Sequence, residues 1–175
     1  MPVAAQKKYY LIDTCALIYY FDNPESSVKY KITDDTADGV AFYYIPQFCV
    51  AETFNVFARL YYRPPKITKK KYTALVDAFK YMIKNREILY AYDLHRYHNL
   101  NCDLVYETEH ITPQAKNSKG KAVARPYLST FDILIIAMAI ELNKVHGQGN
   151  VCILSRDARL IDIAKKVGIN AEWYR

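Results

Sequence analysis

Residues 8–21 read KYYLIDTCALIYYF: a short apolar run, an aspartate at position 13, and a second apolar run of helical length. The aromatic and aliphatic residues of the first run favour a strand, and the second run favours a helix. Asp13 stands where the strand ends. In an open parallel sheet, the carboxyl ends of the strands line the crevice in which ligands bind. The stretch therefore predicts an α/β domain with a carboxylate at that edge of its sheet.

Outward from this stretch, short apolar runs alternate with longer segments of helical period, the pattern of a parallel sheet covered by helices. The predicted strands lie at about 8–12, 40–45, 87–92, 150–154 and 169–173. The predicted helices lie near 14–21, 25–37, 47–62, 68–85, 94–108, 130–144 and 158–166. A chain of 175 residues is long enough for one full core and short for two, so we expect a single domain over residues 1–175.

Two stretches carry the positive charge of the chain, whose formal net charge is +6. Residues 59–71 contain six Lys or Arg and residues 112–126 contain four, with no acid in either, while the rest has 14 basic against 18 acidic residues. Localised cations neutralise phosphates, so a polyanionic partner is one interpretation and solvated surface loops are the other. The second stretch belongs to a basic loop or insertion at about 111–127, a long connection of the kind that is usually functional or mobile.

The four cysteines have no metal-binding or disulfide spacing, which indicates small apolar side chains in a reducing compartment. Asp13 interrupts the apolar run that follows Lys7 and Lys8, so no signal peptide is predicted. The apolar run at residues 133–140 is far shorter than the roughly 18 residues that a membrane span needs. We expect a cytoplasmic protein with no membrane association.

Four acidic residues interrupt apolar surroundings at the end of an element or on a helix: Asp13, Glu52, Asp132 and Asp157. A charge on a mostly buried helix is costly unless it is paired or bound to a cation. Each has a structural alternative. Asp13 and Asp157 could cap the helices that follow them, Asp132 could complement its helix dipole with Ser129 or Thr130 as the cap, and Glu52 could point outward. The four together favour a common site.

The motifs around these acids resemble the PIN domain, the nuclease fold of VapC-type toxins and RNA-processing enzymes. They are the strand-Asp-Thr opening YYLIDTCALI, the helix VAETFNVF, the helix start STFDILIIAMAIEL, and the closing ILSRDARLIDIAKKVGI, in the family's order. The resemblance covers nearly the whole chain and implies a three-layer α/β/α domain with a mainly parallel sheet of about five strands. The basic segment at 111–127 departs from compact toxin members of the family.

The resemblance implies that Asp13, Glu52, Asp132 and Asp157 bind Mg²⁺ or Mn²⁺ and cleave RNA as a metal-dependent endoribonuclease. Hard divalent cations prefer oxygen ligands, which suits this set. Thr14, Asn55 and Ser155 are candidates for hydrogen bonds that orient the carboxylates. The candidate RNA-binding residues are Arg59, Arg63, Lys69, Lys70, Lys71, Lys116, Lys119, Lys121 and Arg125. A homodimer and a protein antitoxin, as in a toxin–antitoxin pair, are the partners that the resemblance suggests besides RNA.

Two rival functions stay open at this point: a PIN-like domain that binds RNA or a protein without cutting, and an unrelated doubly wound domain for a small phosphorylated ligand. A metal site at His95 and His98 lacks a matching third ligand. The sequence contains no GxxxxGK[ST] loop, which argues against a nucleotide triphosphatase. The opening also resembles phosphatases that use a nucleophilic aspartate with a second aspartate two residues later. Cys15 occupies that second position after Asp13, which argues against such a phosphatase.

Overall fold

The computed structural model describes residues 7–23, 25–85, 88–113 and 127–173. Its strands are β1 (Lys8–Ile12), β2 (Ala41–Pro46), β3 (Tyr90–Tyr92), β4 (Val151–Ser155) and β5 (Asn170–Trp173). Its helices are α1 (Thr14–Asp22), α2 (Ser27–Ala37), α3 (Gln47–Tyr62), α4 (Lys69–Lys84), α5 (Arg96–Asn99), α6 (Cys102–Ile111), α7 (Thr130–His146) and α8 (Ala158–Lys166). The five strands form one sheet in which every pair is parallel. The predicted α/β class with helices on both faces of a parallel sheet is confirmed.

The centre of the sheet is the most apolar part of the molecule. All five residues of β4 and the last three of β1 are buried. The two strands pair directly, from Tyr9 opposite Val151 to Ile12 opposite Leu154. Strands covered on both faces read as continuous apolar runs, which is why YYLI and VCIL were recognisable as strands from their composition.

The strand order β3-β2-β1-β4-β5 reverses direction between β1 and β4. The chain first runs from β1 outward to β2 and β3, then returns to the other side of β1 as β4. Helix α1 packs on α2 and α3, whereas α7 packs on α5, α6 and α8. A crevice opens at the carboxyl ends of the strands where the order reverses. The residues that directly follow β1 and β4 therefore meet at this crevice.

The predicted single helix at 94–108 is wrong, because the structure has two helices, α5 and α6, in that region. The break lies at Leu100 and Asn101. The Asn101 side-chain amide donates to the Tyr97 carbonyl at 3.2 Å. Asparagine side chains compete in this way with the helical backbone for its hydrogen-bond partners. The other helix and strand boundaries lie within two or three residues of the predicted ones.

Part of the sequence-based interpretation falls on residues outside the described ranges. The basic segment predicted at 111–127 lies mostly in residues 114–126. The single domain over residues 1–175 stays a prediction. In the described ranges, no helix is both long and apolar enough to cross a membrane.

Candidate active site

Asp13 and Asp157 both lie at the carboxyl edge of the sheet and line the same cleft. Asp13 directly follows β1, and its backbone N–H donates to the Leu154 carbonyl of β4 at 3.0 Å. Asp157 comes two residues after β4 and stands at the N-terminus of α8. The two aspartates therefore reach one crevice because their strands are neighbours.

Glu52 and Asp132 enter the same crevice from two helices. Glu52 lies on α3, and its Oε2 accepts a hydrogen bond of 2.6 Å from the Thr14 hydroxyl. Asp132 lies in the first turn of α7. All four acids line one open cleft of about 670 Å³. The structure thus brings together the four predicted acidic residues from four separate segments.

Asp13 is the most enclosed of the four, with 7% of its surface exposed. Its Oδ2 accepts hydrogen bonds from the Ser155 hydroxyl at 2.7 Å and from the Cys15 thiol at 2.8 Å. Burial raises the pKa of Asp13, the two hydrogen bonds oppose that rise, and the nearby carboxylates of Asp132 and Glu52 add to it. A bound divalent cation would offset both the desolvation of the Asp13 carboxylate and its repulsion by the neighbouring carboxylates.

Asp157 caps α8, as its structural alternative proposed, and at the start of α7 Ser129 is the cap with Asp132 beside it in the first turn. The Ser129 N–H donates to Asp132 Oδ2 at 2.8 Å, and Ser129 in turn accepts from the Asp132 N–H, which makes a capping box. Asp157 Oδ1 accepts from the N–H groups of Arg159 and Leu160 at 2.7 and 3.0 Å. These hydrogen bonds orient the Asp132 and Asp157 side chains, and both side chains also line the cleft.

Asp13 differs from these two residues. It occupies the N-cap position of α1, but its side chain makes no capping hydrogen bond within the described residues. Burial also raises the pKa of Asp132, as do the charges of Asp157 and Glu52, while its hydrogen bonds with Ser129 lower it. The cleft is therefore a region of accumulated negative charge.

One oxygen of each carboxylate is held by the protein. Hydrogen bonds from the described residues reach Asp13 Oδ2, Glu52 Oε2, Asp132 Oδ2 and Asp157 Oδ1, and none of them reaches the other oxygen of these groups. The second oxygens are the ones left to take a cation or water.

The four carboxylates suit a hard divalent cation by their chemistry. Across the described ranges, no three His, Cys, Asp or Glu side chains stand close enough to hold one ion together. Mg²⁺ usually keeps several waters beside one or two carboxylates, so a set of oxygens spread around an open cleft fits it better than it fits an ion that demands a full protein cage. The residues present therefore fit a hard divalent cation that keeps part of its water shell.

Cys15 is a part of the site that sequence reasoning missed. Its thiol bonds Asp13, lies 3.4 Å from the Ser155 hydroxyl, and accepts the Arg156 N–H at 3.0 Å. Burial, followed by the charge of Asp13, raises the pKa of Cys15 to about 12. The side chain is therefore a neutral donor to the carboxylate. The available signal was its position two residues after Asp13.

The three predicted supporting residues lie in different places. Thr14 contacts Glu52, and Ser155 contacts Asp13. Asn55 is exposed on α3 and lines a separate polar cavity of about 610 Å³ with Arg59 and Arg63. No hydrogen bond links Asn55 to an acid of the cleft among the described residues.

The candidate RNA-binding residues are only partly described. Arg59 and Arg63 are exposed at the end of α3, and residues 69–71 are exposed at the start of α4. Lys71 lies 3.7 Å from Asp22 in an exposed ion pair. Lys116, Lys119, Lys121 and Arg125 lie outside the described residues. The first basic stretch thus begins at the C-terminal end of α3, the helix that carries Glu52, and continues to the start of α4.

His95 and His98 take part in packing. Their rings stack at 3.6 Å, and His98 is fully buried against Tyr92. The His95 N–H donates to His98 Nδ1 at 3.0 Å. Burial lowers the pKa of His98 to about 4. The hydrogen bond between His95 and His98 caps the N-terminus of α5.

Comparison with known proteins gives one family and several solved structures. The family model of the PIN domain matches residues 10–166. The structure is similar to VapBC2 from Rickettsia felis bound to a DNA fragment from their promoter, with a TM-score of 0.60, 15% identity, and coverage of 95% of this chain and 99% of that chain. It is also similar to DNA-bound VapBC from Salmonella typhimurium, with a TM-score of 0.56, 14% identity, and coverage of 95% and 98%.

A third similar structure is FitAcB from Neisseria gonorrhoeae, with a TM-score of 0.55, 15% identity, and coverage of 93% of this chain and 95% of that chain. No curated protein matches the sequence. At these identities, the solved structures establish the fold.

Proposed function

Because this chain belongs to the PIN domain family, we propose that it is a metal-dependent endoribonuclease that hydrolyses RNA phosphodiester bonds. PIN domains are in general nucleases that use divalent metals. The observation that carries the proposal is the meeting of Asp13, Glu52, Asp132 and Asp157 in one open cleft. Among the described residues none of the four acids forms an ion pair, and gathered carboxylates in that condition are costly to fold unless a cation joins them.

In this proposal, the four acids hold Mg²⁺ or Mn²⁺ between them, one or two directly and the others through waters on the ion, by the oxygens that no described residue bonds. The cation would make a bound water more acidic and offset the charge on the departing oxygen. The chain itself fixes the geometry. Ser155 and Cys15 donate hydrogen bonds to Asp13, and Thr14 donates one to Glu52. Backbone N–H groups at the starts of α7 and α8 donate to Asp132 and Asp157. Such hydrogen bonds orient ligands and tune their basicity.

The basic residues 59–71 supply the attraction for RNA. Arg59 lies about two turns beyond Glu52 on α3 and Arg63 about three turns beyond it, just after the helix, so an RNA strand held in the cleft can follow this helix. The cationic residues of 112–126 add to the same attraction by charge. Neutralised phosphates release counterions, so binding should weaken steeply as salt rises.

A toxin of a toxin–antitoxin pair is the biological role that we propose for the nuclease. Its support is the likeness of fold to VapBC and FitAcB proteins. The proposal includes an antitoxin protein as partner and a homodimer as the assembly.

One observation favours a second function, a PIN domain that binds RNA or protein without cutting. Within the described ranges, no three candidate ligands stand close enough to share an ion. A site that never draws its carboxylates together would bind metal weakly. Metal affinity therefore separates the two functions.

The test is cleavage of a mixed set of labelled RNAs by the purified chain in Mg²⁺, in Mn²⁺ and in EDTA. We expect cleavage that needs metal and is lost in Asp13→Asn. The matched control is Asp34→Asn, which removes an exposed carboxylate on α2 that does not line the cleft. Cleavage that survives EDTA or Asp13→Asn contradicts the proposal. RNA binding without cleavage in every condition supports the second function.

A further inference from the structure

Arg156 is a basic residue among the acidic residues of the cleft. It follows Ser155 and precedes Asp157, and it lines the cleft. Its backbone N–H donates to the Cys15 thiol at 3.0 Å. Its side chain is exposed. The backbone of this residue is therefore fixed by the site while its guanidinium stays open to solvent.

Aromatic rings hold this guanidinium. It lies 4.2 Å from the ring centroid of Tyr19 and 6.0 Å from that of Trp173. Both distances are within the range of attraction between a cation and an aromatic face. A stacked guanidinium keeps its N–H donors in its own plane, where they remain available to a planar or tetrahedral oxyanion.

Arg156 has no ion-pair partner in the described part of the chain, although four carboxylates share its cleft. The ion pairs among the described residues are formed by other lysine and arginine side chains. Arginine beside an unsatisfied carboxylate ordinarily forms a two-pronged pair with it. The guanidinium instead contacts the two aromatic rings, and no hydrogen bond to another described residue occupies its N–H donors, so they are open to an incoming anion.

Trp173 lies beside this cation at the same edge of the sheet. It pairs in register with Ser155, the last residue of β4, so it reaches the carboxyl end of the strands. It lines the cleft and is 47% exposed. An exposed indole next to a cation is the combination that binds unpaired nucleotides, since the ring stacks on a base and the cation takes a phosphate.

We propose that Arg156 and Trp173 form a nucleotide subsite beside the acidic cluster, with the indole stacked on an unpaired base and the guanidinium bonded to a phosphate. This inference rests on the proposed function and extends it. A base inside a duplex has both faces covered by its neighbours and cannot stack on the indole. The substrate is therefore single-stranded at the nucleotide next to the cleavage site.

The chain provides its own reporter, because Trp173 is its only tryptophan. The experiment titrates the full chain carrying Asp13→Asn, in Mg²⁺, with a short single-stranded RNA, and follows tryptophan fluorescence. RNA integrity is checked after the titration. We expect saturable quenching by the RNA, and weaker binding without quenching by an abasic strand of the same length. An RNA duplex should not quench.

Variants then separate a subsite from general charge attraction. Arg156→Gln should weaken binding by about tenfold, since it removes a charged, two-pronged contact. Lys165→Gln removes the same unit of charge from an exposed residue at the far end of α8 and should change binding much less. In the otherwise wild-type chain, Trp173→Leu should raise KM more than it lowers kcat, and Trp173→Phe should restore most of the loss.

The results that overturn the inference differ from those that overturn the proposed function. If the wild-type chain cuts RNA while RNA binding leaves Trp173 fluorescence unchanged, the subsite is wrong and the nuclease stands. The same holds if Arg156→Gln behaves like Lys165→Gln. If the wild-type chain cuts no RNA but the single-stranded RNA still quenches Trp173, the subsite stands and the nuclease fails.

Discussion

Loss of the buried ion pair between Arg159 and Glu109 should destabilise the fold strongly. Arg159 Nε lies 3.5 Å from Glu109 Oε1, and 7% and 5% of the two residues are exposed. The same Oε1 accepts the Leu128 N–H at 2.7 Å, and Arg159 Nη2 donates to the Glu109 carbonyl at 3.1 Å. The pair thus connects α6 and α8 with Leu128, which lies two residues before α7.

The expected magnitude follows from what each substitution leaves behind. Arg159→Met leaves a buried carboxylate with the Leu128 N–H as its remaining partner among the described residues, which costs roughly 3 to 5 kcal/mol. Glu109→Leu leaves a buried guanidinium and should cost about as much. The double variant removes both charges, so its loss should be at least about 2 kcal/mol smaller than the sum of the single losses.

The assay is urea unfolding of the four proteins, with the free energy of unfolding and its urea slope fitted for each. The control pair is Lys166 and Asp162, which lies exposed on α8 at 3.4 Å and should contribute less than about 1 kcal/mol. If Arg159→Met costs less than about 1 kcal/mol, or if the single losses add in the double variant, the argument from burial is refuted.

Three further predictions concern the site and the helix α5. Cys15 should resist iodoacetamide at pH 8 in the folded chain and react after unfolding, because a pKa of about 12 leaves only about one thiolate in ten thousand; rapid labelling of the Cys15 peptide in mass spectrometry would contradict this. Thr14→Val should raise the Mg²⁺ concentration for half-maximal activity about tenfold, because Glu52 loses its hydrogen bond, while Thr33→Val should not. His98 has a folded pKa lowered to about 4, below its ordinary value of 6.5, so the unfolded chain binds its proton first as pH falls. The free energy of unfolding should therefore drop by about 3 kcal/mol between pH 6.5 and 4, and this drop should largely disappear in His98→Gln.

Much of the fold was readable because the central strands are apolar on both faces. The runs before Asp13 and Asp157 could be strands of a covered parallel sheet, and the acids at their ends had to meet at its edge. Glu52 and Asp132 were harder to place, because a helix position does not say which neighbour it faces. Family resemblance supplied that step.

The interactions that sequence reasoning missed depend on side-chain direction. The roles of Cys15 and Arg156 depend on side-chain conformation and on contacts between residues far apart in the sequence. An example is the hydrogen bond from the Arg156 N–H to the Cys15 thiol, which joins residues 141 positions apart. No local pattern carries that information. The break between α5 and α6 was missed for another reason, since the apolar period continues through it while one asparagine side chain interrupts the backbone bonding.

The charges of the cleft set an order of binding. Four carboxylates and one guanidinium line it, which leaves an excess of negative charge when all are ionised. A phosphate that approaches such a cleft is repelled by Asp13, Glu52, Asp132 and Asp157, and Arg156 alone does not offset them. A bound divalent cation reduces this repulsion and adds a partner for phosphate oxygens. RNA should therefore enter the cleft after the metal, while the basic residues 59–71 can hold it nearby in either state. The same coupling requires RNA to tighten metal binding by the factor that metal tightens RNA binding, because linkage between two equilibrium sites is reciprocal.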